Sequence, residues 1–222
     1  MSRIVIFGAG GRAGRAAVAE ALTRGHDVTA VVRDVSRYQG PPDARLVVGD
    51  VLDAAAQADG ADAVISAVYQ SGSDFFVRAA KSLSTAGAGR IVVVGLASVL
   101  PTADGTLLMD TDGYPQEWRD FYLAHAAGVA ALDGDWVVIS PAGDFDHVSP
   151  AGDFDRVSPA GDFGHGGPRF GRYRVMPADA GSRISYADLA IALIDEVEQP
   201  RHHREHIGVG WIVEEGPSSV AG

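Results

Sequence analysis

Ile4-Val5-Ile6-Phe7-Gly8-Ala9-Gly10-Gly11-Arg12-Ala13-Gly14-Arg15 opens the chain with a short apolar run that ends in glycines at positions 8, 11 and 14. An alanine-rich amphipathic stretch follows to Gly25, so the segment reads as strand, tight turn and helix. Glycine has a different task at each place. One lets the chain turn sharply, one lets backbone N–H groups approach a pyrophosphate, and one lets helix and strand pack closely. The free amides and positive dipole end of the helix then face the phosphates. A second strand, Asp27 to Val32, completes the context in which such a turn holds a dinucleotide. Gly8, Gly10, Gly11, Arg12, Ala13 and Gly14 are therefore candidate cofactor-binding residues, against the alternative of glycines that serve only a turn.

The second strand bears on which dinucleotide is held. A site that prefers NAD places a carboxylate about 20 residues beyond the glycines, on the ribose 2′-hydroxyl. Here that neighbourhood reads Val31-Val32-Arg33, with Arg37 four residues on. A guanidinium matches the geometry of a 2′-phosphate, and Arg12 adds a second positive charge. The expectation is NADPH in preference to NADH. In the competing reading Arg33 is merely solvated and Asp34 turns back toward a ribose.

Composition narrows the classes. The 222 residues are 46% apolar, enough for one domain over 1–222 with a full core. A net charge of −11 argues against nucleic acid and anionic membrane as partners, since both need a basic face. With no cysteine, disulfide and thiolate chemistry are excluded. The first apolar run is too short for a signal peptide or a membrane span, so a cytoplasmic protein with a small-molecule substrate is expected. The sequence leaves the oligomeric state open.

Further strands are read at Arg45 to Asp50, Asp62 to Val68, Arg90 to Val94 and Asp135 to Ser140, with helices from about Ser73 to Ala86 and from Pro115 to about Leu132. Strands alternating with helices imply an α/β fold, a Rossmann-type doubly wound parallel sheet with helices on both faces. Asp50 and Val51 either sit against the adenine or cap the Asp53 to Ala58 stretch. Ala67 and Gly95, near the ends of the fourth and fifth strands, join the candidate cofactor residues. In the tail, Gly171 to Val175 and Ile207 to Val213 read as strands. A helix runs from a Ser185-Tyr-Ala-Asp188 capping box to Pro200.

Ser140-Pro-Ala-Gly-Asp-Phe-Asp-His-Val148 begins two and two-thirds tandem copies of one nine-residue unit, a loop at about 140–166. It reads as a slippage duplication, as a lid over the substrate crevice, or as a calcium-binding nonapeptide repeat. The glycine pairs of such calcium repeats are missing.

Five segments carry a family resemblance: the glycine turn, Ala30-Val-Val-Arg-Asp34, Leu123-Ala-His-Ala126, Asp135-Trp-Val-Val-Ile-Ser-Pro-Ala142 and Ser182-Arg-Ile-Ser-Tyr-Ala-Asp188. Together they resemble the atypical short-chain dehydrogenase-like NAD(P)-binding proteins, the NADH-flavin reductase-like and NmrA-like group. The resemblance implies a bound NAD(P)H and reduction of a flavin or quinone. The Tyr-x-x-x-Lys dyad of the better-known short-chain dehydrogenases is missing. Lys81 is the only lysine, and Phe121 and His125 stand where the tyrosine and lysine would fall. His125, Tyr122 and Ser98 are the candidate catalytic residues: His125 as acid, base or ribose partner, Tyr122 as an acid and Ser98 as a substrate-orienting hydroxyl. Their competing readings are a packed helical histidine, a core tyrosine and a turn serine.

The resulting expectation is an NADPH-dependent oxidoreductase that delivers hydride to a flat conjugated acceptor such as a flavin, quinone or enone. The alternatives are a non-redox isomerase, cyclase or dehydratase on the same fold and a dinucleotide-sensing regulatory protein. No metal is expected, since His202, His203 and His206 read as a solvated turn.

Overall fold

The computed structural model describes residues 1–70, 74–143 and 169–211, so most of the tandem copies, and the expectations attached to them, lie outside the described residues. Strand β1 (Arg3–Phe7) leads through the glycine turn into helix α1 (Arg12–Thr23) and on to β2 (Asp27–Val32) and β3 (Arg45–Val48). The chain then crosses back through a short α2 (Ala55–Ala58) to β4 (Ala63–Ser66), followed by α3 (Phe75–Ser84) and β5 (Ile91–Val94). Helix α4 (Arg119–Ala130), β6 (Trp136–Pro141), β7 (Arg174–Met176), α5 (Tyr186–Glu198) and β8 (Glu205–Gly210) complete the order.

One eight-stranded sheet results, ordered β3-β2-β1-β4-β5-β6-β8-β7. Its pairs are parallel except β7 on β8. The sheet is thus the expected doubly wound, mostly parallel one, with one antiparallel edge strand. Strand β7 is only three residues long and mostly exposed, which suits an edge that pairs on one side.

Side-chain alternation in β1 shows why two layers of helix form. Ile4 and Ile6 face α1 and α5, packing with Ala17, Val18, Leu189 and Leu193. Val5 and Phe7 face the other way, with Val64, Phe75, Phe76 and Ala79. All four β1 side chains are at most 1% exposed. Such burial is worth about 1.5–3 kcal/mol for each large side chain.

The order reverses beside β1, because the chain builds β2 and β3 on one side of it and β4 on the other. Sheets of this kind hold ligands at such a reversal, above the strand carboxyl ends.

Two starts and one cap differ from the sequence reading. Helix α4 begins at Arg119, beyond Pro115. The preceding loop is held instead by the Gln116 amide, which donates to the carbonyls of Met109 and Tyr114 at 2.9 and 3.0 Å. Strand β8 starts at Glu205, so that polar Glu205 and His206 lie inside the sheet opposite Val137 and Val138. The capping box at Ser185 is only half formed. Ser185 Oγ accepts the Asp188 N–H, but the Asp188 carboxylate takes N–H donors from Phe170, Gly171 and the Trp211 indole. No described helix is long and apolar enough to cross a membrane.

Candidate functional site

Geometry requires glycine at two points of the turn after β1. Gly8 has a φ of +75°, and a Cβ there would overlap the Ala67 carbonyl at the end of β4. A Cβ on Gly14 would overlap the Gly8 carbonyl, so α1 approaches the turn backbone to backbone. Gly10 is different. It is exposed, and a Cβ there would meet only Val32 Cγ1, at an ordinary 3.7 Å. The fold thus has no packing need for glycine at 10, which leaves room at that point for a ligand's approach.

The Gly11 N–H donates to Gly8 O at 2.9 Å and closes the turn. Gly11 is also the N-cap of α1 and brings no side-chain cap to that helix start, and the first turn carries no carboxylate. Uncapped amides at the positive end of a helix are what a pyrophosphate needs. These residues fit a dinucleotide.

Beyond β2, Arg33 and Arg37 are both exposed. Asp34 is turned into the cap of the 3-10 turn Val35–Arg37, accepting from Ser36 N at 3.0 Å and Ser36 Oγ at 2.7 Å. Those bonds hold its carboxyl below the usual range. Asp50 is engaged likewise, capping the turn Val51–Asp53 through the Leu52 N–H at 2.9 Å, with Val51 buried beneath. The cap reading of Asp50 is therefore correct in kind, one turn earlier than α2.

Past the end of β5 the candidate site is made of side chains. Ser98, 2% exposed, lies in the 3-10 turn Ala97–Val99 just past β5, and its Oγ shares a 2.7 Å hydrogen bond with the Tyr114 hydroxyl. Tyr114 rests edge-on against Tyr122, with ring centroids 5.6 Å apart, and packs on Ala97, Leu100, Leu108 and Ala178. Ser98, Tyr114 and Tyr122 thus come together, although no local pattern singled out Tyr114. A phenol sixteen residues beyond a serine has no periodicity that links the two.

His125 points into a different cluster. Its ring lies 3.7 Å from that of Phe76 and 4.7 Å from that of Phe121. Its Nε2 is buried with no hydrogen-bond partner among the described residues. Burial, with His206 nearby, pushes its pKa down to about 3. That shift favours the neutral imidazole at neutral pH.

His206, on β8, is lowered by burial to about 4 and shares a 2.7 Å hydrogen bond with buried Ser140 of β6. A side chain at Gly95 would collide with Val138, Ser140 Oγ and His206. Packing alone thus explains that glycine. The other two histidines stay near the surface, His202 beside Glu205 at 2.8 Å and His203 beside Asp135 at 2.7 Å. The three do not form one cluster.

A cavity of about 350 Å³ lies between α5 and the β7–β8 edge, with Tyr173, Asp195, Glu196 and Arg201 in its wall. Its carboxylates are already engaged, Asp195 with Arg24 at 2.7 Å and Glu196 with buried Arg90 at 2.6 Å.

Comparison with known proteins agrees with this geometry. The model of the NAD(P)H-binding family matches residues 8–200. The uncharacterized protein YwnB of Bacillus subtilis is 34% identical over 93% of this chain and 97% of its own. A Bacteroides thetaiotaomicron structure, provisionally assigned as an epimerase, is 32% identical with a TM-score of 0.76, covering 97% of this chain and 99% of that one. A Streptococcus pneumoniae structure, provisionally assigned as an NADH-flavin reductase, is 28% identical with a TM-score of 0.72, covering 95% of this chain and all of that one. With its glycine turn, sheet order and near full-length match, this chain belongs to the NAD(P)H-binding family, in the NADH-flavin reductase-like and NmrA-like oxidoreductase superfamily.

Proposed function

We propose that this chain is an NADPH-preferring oxidoreductase that reduces a small, flat, conjugated acceptor such as a flavin, quinone or enone. The observation that carries the cofactor preference is the pairing at the end of β2, where Arg33 is exposed while Asp34 is tied to Ser36. A carboxylate committed to its own turn is not offered to a ribose 2′-hydroxyl, and an exposed guanidinium suits a phosphate.

When bound, the reduced dinucleotide supplies hydride. The chain's own residues divide the remaining work. Amides of the turn at 10–14 hold the pyrophosphate, while Arg33, Arg37 and Arg12 hold the 2′-phosphate. Val51 and Asp50 border the adenine, and Ala67 and Gly95 border the ring that faces the acceptor. Ser98 orients the acceptor, and Tyr122 supports the wall behind it. His125 takes the part of a neutral hydrogen-bonding group rather than a proton donor, because its burial resists charge.

The test is a titration of cofactor-stripped protein with NADPH and NADH, followed by acceptor-dependent loss of reduced nicotinamide with a flavin and a simple quinone. Tighter binding of NADPH with turnover is the expected result. Equal affinity for the two overturns the preference, and binding without turnover overturns the reductase reading.

The epimerase assignment of the Bacteroides relative favours a second reading, in which the nicotinamide is a transient hydride store. Turnover without net loss of reduced cofactor would establish it.

A further inference from the structure

We propose that Tyr114 is the proton donor of this site and that Ser98 is its positioning residue, an inference that rests on the oxidoreductase reading above. The Tyr-x-x-x-Lys arrangement is impossible here, because the one lysine, Lys81, is exposed on α3 and Phe121 occupies the tyrosine place. His125 is held neutral among Phe76 and Phe121. If the protein and not solvent supplies the proton, it comes from another group.

Tyr114 meets the need on four counts. Its hydroxyl is fixed at 2.7 Å from Ser98 Oγ, just past the end of β5. Its ring is fixed by Tyr122 and by the small cluster of Ala97, Leu100, Leu108 and Ala178. Its backbone is fixed by an N–H bond to Thr111 O at 3.2 Å and by the Gln116 amide on its carbonyl at 3.0 Å. Finally, the residue is partly exposed, unlike buried Ser98 and Tyr122. Tyr69, at the end of β4, is the competing phenol. It packs on Phe76 and Phe121, and burial makes it a weaker acid than usual.

The step balances. The electrophilic atom of the acceptor, a carbon in an enone or N5 in a flavin, gains hydride from the reduced nicotinamide, the electron pair of the conjugated system moves to the acceptor oxygen or a second nitrogen, and that atom takes the Tyr114 phenolic proton. Ser98 Oγ–H rotates to donate to the phenolate, and water restores the proton. The acceptor has then gained two electrons and two hydrogens, and the nicotinamide is oxidised.

The experiment compares wild type with Tyr114→Phe, Ser98→Ala and Tyr69→Phe, using NADP⁺ and NADPH as probes. The first readout needs no turnover: tyrosinate absorbance is titrated with and without NADP⁺. One phenol should ionise at lower pH beside the cationic ring, and that change should vanish in Tyr114→Phe. Ser98→Ala should keep the change but move it to higher pH, since the phenolate loses a donor. The second readout is kinetic. Tyr114→Phe should lower kcat by about 10²-fold with KM and NADPH affinity kept, and should flatten the alkaline fall of kcat. Tyr69→Phe should change neither readout.

A tyrosine titration indifferent to NADP⁺, or a Tyr114→Phe enzyme with wild-type kcat and pH profile, overturns the proposal and leaves the oxidoreductase reading standing. Failure of wild type to bind either nucleotide overturns both.

Discussion

The two parts of the candidate site, the glycine turn and the end of β5, are built from different materials. At the glycine turn, the parts that fit a ligand are backbone: a positive φ at Gly8, a backbone-to-backbone approach at Gly14 and an uncapped helix start at Gly11. At the end of β5 they are side chains from separate stretches, with Ser98, Tyr114 and Tyr122 on one side and His125, Ser140 and His206 on the other. A backbone cradle is specified within a dozen consecutive residues and tolerates few substitutions. A side-chain constellation is specified by the whole fold, and its chemistry depends on burial.

The largest effect should come from the side-chain end, as a pH dependence. Both of these partly buried histidines have folded pKa values, about 3 for His125 and about 4 for His206, below the unfolded value of about 6.5. Below that unfolded value, the unfolded chain binds protons that the folded chain refuses. Stability therefore falls as pH drops from about 6.5, and the fall from these groups ends near pH 4 for His206 and near pH 3 for His125. Between pH 7 and 5 the loss should be about 2 kcal/mol for each histidine, read from urea melts at each pH. His125→Phe should remove about half of that slope. A flat profile in wild type would mean that water reaches the cluster.

Next comes the backbone end. Gly8→Ala places a methyl against the Ala67 carbonyl at an unfavourable φ. It should cost about 3 kcal/mol in chemical denaturation and remove dinucleotide binding. A folded Gly8→Ala protein that binds normally would break the claim that this end is fixed by backbone geometry.

Arg33→Ala should weaken NADPH about tenfold, some 1.4 kcal/mol, and leave NADH nearly unchanged in calorimetry. Equal weakening of both would return Asp34 to consideration. The smallest effect should be that of Gly10→Ala, about fivefold on NADPH affinity with stability kept within about 0.5 kcal/mol. Comparing it with Gly8→Ala separates glycine needed by a ligand from glycine needed by the fold.

Legibility in the sequence follows the same division. The strand-turn-helix opening, the alternation of strands and helices and the place of Arg33 beyond β2 all rest on local patterns, and the structure follows them closely. The polar start of β8 was hidden because Glu205 and His206 break the apolar run that marks a strand. The antiparallel direction of β7 was hidden because a three-residue edge carries no directional signal. Ser98 and Tyr122 could be named from their places after β5 and on α4, but their common neighbour Tyr114 could not. The fold of the loop between β5 and α4 brings that phenol to them.

The sequence by itself determined the dinucleotide turn, the doubly wound class and the absence of a tyrosine–lysine pair. Each of these is a matter of residue identity at short spacing, where steric rules act on neighbouring residues. The tertiary structure alone decided that Asp34 is spent on Ser36, that His125 is neutral and that Tyr114 meets Ser98. A side chain's protonation and partner depend on what packs around it, and in this fold those neighbours come from distant parts of the chain.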